Sequence, residues 1–404
     1  MRVGVYLSRT FPEGGGGYTF ENEILQSLAT WGPESNHTFV VFGWTKQPTD
    51  NISDKNIQFI DLQRGLKERL ISKLLRILSG VLRKIRHSRS PFSVEKWIDQ
   101  VVKNSNIDVF LYFNTRCLTL DVPYITIVWD LQHRLQPYFP EVSIRGEWDR
   151  RERDFSVTLQ RASIVISGTE AGKAEIERFY QVPPERIKIL PHPTPRFALE
   201  AALSNEKEVL REYNLPEGYL FYPAQFWSHK NHAALLRAIR LLRERYGLVF
   251  PLVLVGSDAG NQKYVMQLTS EFGLSNQVHF LGFVPLEDLV LLYREAFALV
   301  YVSLFGPENL PPLEAFALGC PVIASNAPGA REQMGDAALL VDARDEEEIA
   351  LAIKSLHDDP CLRQTLVKRG LGRASRSTGE TFIKGIFTIL DEFEPVRRCW
   401  GKLR

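Results

Sequence analysis

Between residues 219 and 341, short apolar runs alternate with amphipathic stretches, and this alternation constrains the fold more than anything else in the chain. The runs fall at 219–223, 252–255, 278–280, 298–302, 321–324 and 339–341. Between them, apolar residues recur at helical spacing, as Leu235, Ile239 and Leu242 do. Strands that alternate with helices run parallel and are covered on both faces. The first half repeats the pattern less regularly, with strands expected at 3–7, 37–42, 108–114, 124–129, 162–167 and 186–190. The expected fold class is α/β, as two open parallel-sheet domains. A length of 404 residues fits two domains on a prior of ~150 residues each. The run Pro191–His192–Pro193–Thr194–Pro195 breaks regular structure and marks the boundary. The division expected is 1–192, then 193–378, then a C-terminal helix over 379–404 that packs back towards the first domain.

Several function classes are disfavoured by composition. A net charge of +1 predicts no general attraction to nucleic acid. Cys117, Cys320, Cys361 and Cys399 form no CxxC pair and no zinc-like spacing with histidine, so reduced thiols in a cytoplasmic protein are expected. The opening MRVGVYLSRT lacks a long apolar region and is expected not to be a secretory leader. No run approaches the ~18–20 apolar residues of a membrane span. Residues 64–89 carry nine basic side chains, among them Arg64, Lys73 and Arg86, against the single acid Glu68. Leucines recur there at three- or four-residue spacing. Such a helix either lies on an anionic membrane surface or docks on its own domain with a solvated basic face.

Polar and glycine-rich punctuation collects after the strands, on the edge where open α/β folds bind ligands. After the first strand come Gly15, Gly16 and Gly17. The glycines suit a backbone that approaches a ligand in a cleft, or a flexible surface loop. A dinucleotide fingerprint fits poorly, because the loop is long and the next strand ends in Gly43 and Trp44 rather than an acid. After 124–129 come Asp130, His133 and Arg134. After 219–223 comes AQFWSHKNH, with Gln225 and with Lys230 near a helix start. A lysine there is unfavourable beside the positive helix end unless an anion is bound. Gly256 and Ser257 follow the next strand. After 298–302 comes FGPENLPPLEAFALG: Gly306, Pro307, Glu308, Asn309 and Leu310, then a helix with Pro311 and Pro312 in its first turn. Glu314 is expected in that first turn, off the buried stripe of Leu313, Phe316 and Ala317.

The segments LVLVGSD, VHFLGFVPLEDLVLLYREA and LPPLEAFALGCPVIASNAPGAREQMGDAALLVD resemble the donor-binding domain of retaining nucleotide-sugar glycosyltransferases of family 4. The first half resembles the same family through GGGGYTF and VWDLQH. The resemblance implies the GT-B architecture, two Rossmann-like domains facing each other across a cleft. It implies that Lys230 holds the donor diphosphate and that Glu314 holds the ribose hydroxyls. The family's arginine partner falls at Gln225, and its first conserved glutamate at Gly306. Either Glu308 takes over the missing carboxylate's role, or backbone N–H groups of Glu308–Leu310 hold the sugar. The family's His–Asp pair reads Trp129–Asp130 here, with His133 as the nearest imidazole.

The implied activity is sugar transfer from a nucleotide diphosphate sugar to a hydroxyl of a glycan or lipid-linked glycan, with retention. The donor would be a substrate; no other cofactor, no metal and no nucleic acid is expected. The stretch 64–89 would allow peripheral contact with the inner face of the cell membrane. Competing readings are a non-catalytic nucleotide-sugar-binding protein and a sugar-nucleotide hydrolase or epimerase on the same fold.

Overall fold

The computed structural model describes residues 1–8, 15–44, 56–62, 94–201, 211–399 and 401. The basic stretch 64–89 lies outside the described residues. Among the described residues, no helix is long and apolar enough to cross a membrane.

Two wholly parallel sheets carry the fold. The first has the order β3-β2-β1-β4-β5-β6-β7, from β1 (Arg2–Tyr6), β2 (Thr38–Gly43), β3 (Ile57–Asp61), β4 (Val109–Tyr112), β5 (Tyr124–Val128), β6 (Ile164–Ser167) and β7 (Ile187–Ile189). The second has the order β10-β9-β8-β11-β12-β13, from β8 (Leu220–Pro223), β9 (Leu252–Val255), β10 (Val278–Gly282), β11 (Ala298–Tyr301), β12 (Val322–Ser325) and β13 (Ala338–Val341). The central strands β4, β5, β9, β11 and β12 are buried along their whole length, which is why they read as continuous apolar runs. The sequence pattern does not mark the strand at 57–61. β3 lies at the sheet edge with only Ile57 buried, so its apolar signal is weak.

The chain passes from β7 through residues 190–195 into the second half, and it returns near 374–378. These two crossings are tied together. The Thr194 N–H donates to the Ser377 carbonyl at 2.6 Å, and the Ser377 hydroxyl to the His192 carbonyl at 3.2 Å. The last helix, Gly379–Arg398, then lies against the helix Gly16–Trp31. It places Phe382, Ile383, Ile386 and Leu390 in the core that covers β1, β2 and β4. The first sheet therefore takes part of its apolar cover from the far end of the chain.

This dependence generates a prediction. Ile386 is fully buried, so Ile386→Ala should cost about 2–5 kcal/mol. Hydrogen exchange should show the loss in the opening energies of β1 and β2, with β8 and β11 unchanged. An equal loss in both sheets would contradict the assignment of this helix to the first core.

Candidate active site

In each sheet the strand order reverses at one point, between β1 and β4 in the first and between β8 and β11 in the second. Crevices for ligands open at such points, beyond the carboxyl ends of the strands. Here the two crevices face each other. A Cβ on Gly15 would lie 3.9 Å from the Gln225 side chain, and one on Gly16 would lie 3.7 Å from Leu310 Cδ1. The loop after β1 thus meets the loops after β8 and β11.

The loop after β8 ends in a 3-10 turn, Ser228–Lys230, and Asn231 precedes the helix His232–Tyr246. Lys230 is half-buried there. Its Nζ donates to the Tyr301 hydroxyl at 2.7 Å and lies 5.1 Å from that ring's centre. The Tyr301 hydroxyl in turn donates to Asn309 Oδ1 at 3.2 Å. Among the described residues, Lys230 forms no salt bridge. A positive charge is held by neutral partners at the crevice, beside a helix N-terminus that adds to the positive potential. Gln225 is fixed by its neighbours: its Nε2 donates to Ser257 Oγ at 3.1 Å, and Trp227 Nε1 donates to its Oε1 at 2.9 Å. Gly256 is required where it stands. Its φ is +149°, and a Cβ would meet the Ala224 carbonyl oxygen at 2.4 Å.

The loop after β11 is pinned to β12's following helix. The Asn309 N–H donates to Gln333 Oε1 at 3.0 Å, and Gln333 Nε2 donates back to the Asn309 carbonyl at 2.9 Å. Asn309 Nδ2 reaches the carbonyls of Phe305 and Gly306, both at 3.3 Å. Gly306 takes a φ of +95°, and Pro307 packs against Gly329. The N–H groups of Glu308 and Leu310 have no acceptor among the described residues, and Pro311 and Pro312 have none to donate. The helix Leu310–Ala317 therefore offers backbone donors at its start without a side-chain cap.

Two expectations for this segment need correction. The helix begins at Leu310, so Glu314 is its fifth residue and not in its first turn. Nor is Glu314 off the buried stripe: the helix is buried nearly all round, and Glu314 is 7% exposed. Its Oε2 accepts from the Tyr293 hydroxyl at 2.7 Å, while Oε1 has no partner among the described residues. Burial, only partly opposed by the Tyr293 bond, pushes its pKa up to about 7. Glu308 is also buried, at 3% side-chain exposure, but it points across to the first domain, where its Oε1 accepts from the His192 N–H at 2.8 Å. In this arrangement its carboxylate does not line the crevice.

In the first domain, Trp129 packs on the start of the helix Gly16–Trp31. A Cβ on Gly17 would come within 3.1 Å of the indole ring, so this glycine makes room for the tryptophan. Asp130 is neutralised, by Arg151 Nη1 at 3.2 Å and by the Gln132 N–H at 2.9 Å. His133 is a core residue and not a cleft imidazole. It is 0% exposed, stacks on Phe155, and bonds the Tyr180 hydroxyl at 3.0 Å. Burial foremost lowers its pKa. A buried stack of this kind leaves it no path to a ligand.

Sequence reasoning missed two elements of the cleft. Glu141 of the first domain accepts the backbone N–H of His229 at 2.8 Å and also bonds the His229 ring. That ring stacks on Phe305 at 4.1 Å, and Phe139 closes the group edge-on at 5.0 Å. Glu21 is the second. It is buried behind the first crevice and accepts from the Ser8 N–H at 3.0 Å and from Asn114 Nδ2 at 3.2 Å. In the sequence Glu141 shows only as an acid between Pro140 and Val142, and Glu21 only as the first residue of the polar run Glu21–Asn22–Glu23. Beside the crevice lies a cleft of about 340 Å³, lined by Gln132, Gln136, Tyr138 and Glu175 of the first domain and by Gly306 and Arg344 of the second. Burial, with Asp130 nearby, raises the Glu175 pKa to about 7.

Residues 206–373 match the family model of glycosyl transferases group 1. O-antigen chain mannosyltransferase B of Escherichia coli is 30% identical over 242 residues, 60% of this chain and 64% of that relative. The chain spans less than two thirds of the length of the first curated relatives it matches. Among solved structures, sucrose-phosphate synthase of Thermosynechococcus elongatus superposes with a TM-score of 0.70 at 19% identity, over 98% of this chain and 99% of that one. The Anabaena protein HepE in complex with UDP and glucose gives 0.67 at 17% identity, over 97% and 100%. The fold is GT-B, two Rossmann-like domains across a cleft.

The raised pKa of Glu314 has a measurable consequence. A carboxyl raised by burial favours the folded state fully below the usual carboxylate range, and that contribution is lost as pH rises through about 7. Glu314→Gln should therefore raise the Tm at pH 8 by roughly 2–4 °C and change it little at pH 5. An equal Tm at pH 8 would show that the carboxylate carries no burial penalty.

Proposed function

We propose that this chain, whose residues 206–373 match the family model of glycosyl transferases group 1, transfers a hexosyl group from a nucleoside diphosphate sugar to a hydroxyl of a glycan acceptor, with retention at the anomeric carbon. The observation that carries this reading is Lys230. It is a cation without a carboxylate partner among the described residues, set at the second sheet's switch point beside backbone N–H groups that also lack acceptors. A diphosphate is the ligand that supplies what both need.

Lys230 Nζ would meet the diphosphate, and the Leu310 N–H, with the helix start behind it, would meet the diphosphate or a sugar hydroxyl. Oε1 of Glu314 would accept from the ribose. As the bond from the anomeric carbon to the diphosphate breaks, negative charge grows on the leaving oxygen. Fixed cations and dipoles stabilise that charge more than the ground state. The acceptor oxygen bonds the same face of the sugar, and its proton passes to the leaving phosphate oxygen. No dedicated base is needed, which suits a crevice in which Asp130 is already neutralised and His133 is buried. The Glu141–His229 contact and the Phe139–Phe305 pair would keep water from the sugar.

The first relatives are named as mannosyltransferases, so we take mannose as the sugar and GDP-mannose as the donor to test first. The cleft beside Gly306, with amides, a tyrosine and a carboxyl, suits acceptor hydroxyls. The basic stretch 64–89 supports an acceptor presented at an anionic membrane surface on the cytoplasmic side.

With GDP-mannose, UDP-glucose and dTDP-rhamnose as donors, Lys230→Ala should lower turnover by at least ~10²-fold with whichever donor is used. Near-normal turnover would remove the diphosphate assignment. A chelator should leave turnover unchanged. Among the described residues, the group suited to hold a metal is His37, Asp391 and Glu394, at the opposite edge of the first sheet. Loss of activity with chelator would contradict the metal-free reading.

A further inference from the structure

The side chain of Glu308 leaves the crevice and enters the first domain. It ends in a fitted slot. One wall is His192, in the crossing between domains. Its N–H donates to Glu308 Oε1 at 2.8 Å, and its Nδ1 lies 3.5 Å from Oε2. The His192 ring is itself held 4.7 Å from the ring of Phe20, in the helix that starts at the first crevice. The other wall is Gly168, directly after β6. A Cβ there would fall 1.3 Å from Glu308 Oε2 and 2.1 Å from Cδ. Gly168 has no positive φ, so its backbone would accept any residue. It is the approach of Glu308 that leaves no room for a side chain.

The same corner of the first domain receives a second carboxylate. Glu332 accepts the N–H groups of Glu170 and Ala171, at 2.6 and 3.0 Å, at the start of the helix Glu170–Tyr180. Residues 168–171 thus take two acids from the second domain, one in a slot and one on a helix N-terminus, where negative charge is favoured. Burial pushes the Glu308 pKa up, and Glu332 adds to the rise while His192 opposes it. A carboxylate is placed in so dry a position only where its surroundings hold it.

We propose that Glu308 is a positioning residue, a peg whose seating between Gly168 and His192 sets the loop 306–310 in the shape that presents its backbone N–H groups to the donor. This rests on the reading of that loop as the donor's. The loop and the domain closure are then one equilibrium. Opening the cleft withdraws the peg and frees the loop, and a ligand that binds the ordered loop better favours closure by the same factor. The missing carboxylate at Gly306 also gains an account: the acid two residues later serves the domain interface, and the sugar is left to the amides.

The test is a double-mutant cycle read by hydrogen exchange in the full chain. Gly168→Ala changes only the first domain, and its methyl occupies the slot. It should speed exchange of the loop 304–310, in the other domain, by roughly tenfold. Glu308→Ala should do the same. The double variant should exchange no faster than Glu308→Ala, because removing the peg makes room for the methyl. Glu308→Gln keeps the shape and an acceptor for the His192 N–H, and should retain most of the protection. Exchange of β11 should stay constant in all variants, which separates the effect from misfolding. An unchanged loop in Gly168→Ala, or effects that add in the double variant, would overturn the proposal. GDP and UDP as probes keep it separate from the donor assignment. A non-additive cycle with a wild-type loop that neither nucleotide protects would support the peg while removing the donor reading.

Discussion

A parallel sheet gathers the carboxyl ends of its strands along one edge, and this chain turns two such edges toward each other. Each strand must end in a loop that returns to the far side of the sheet, so polar and glycine residues accumulate on that edge. At the reversal between β8 and β11 they include Lys230 and the loop 306–310. At the reversal between β1 and β4 they include Gly15–Gly17. Gly17 lies so close to Trp129 that a Cβ would come within 3.1 Å of the indole, Gly15 takes a φ of +71°, and Gly15 and Gly16 bring the first loop beside Gln225 and Leu310. The rest of the site follows from that approach.

Charge is distributed unevenly over the cleft. Acids that could neutralise Lys230 are engaged elsewhere: Asp130 by Arg151, Glu141 by His229, Glu308 by His192, and Glu332 by the helix start at Glu170. Three of these four contacts join groups that lie in different domains or at the crossing between them. The lysine and the free amides are left as the positive part of the crevice, and the acids hold the two halves together around it. Glu314 is the exception, a carboxyl kept within the second domain at the cost of a raised pKa.

The fold was legible because the buried central strands carry their own signature: five of them are buried from end to end, and Thr126 and Ser325 are the only residues in those five outside the apolar and tyrosine set. β3 was not, since an edge strand with one buried residue has little pattern to read. Lys230, Gly306 and Leu310 were legible as strand-end residues, because position along the chain fixes the sheet edge. What lay beyond the sequence was direction. Nothing local separates an acid that lines a crevice from one that crosses it, so the sequence leaves open whether the Glu308 carboxylate or the backbone N–H groups of Glu308–Leu310 face the sugar. His133 follows a strand end like its neighbours, and only the stack on Phe155 buries it. Gly168 gave no signal, because the residue it accommodates is 140 positions away in sequence, counting from 168 to 308.

The most direct measurement is a crystal structure with bound GDP-mannose, or with the nucleotide sugar that proves to be used. The diphosphate should lie about 3 Å from Lys230 Nζ and the ribose should hydrogen-bond Glu314 Oε1. The Glu308 side chain should remain between Gly168 and His192. A nucleotide bound in the first domain's crevice, away from Lys230, would contradict the account.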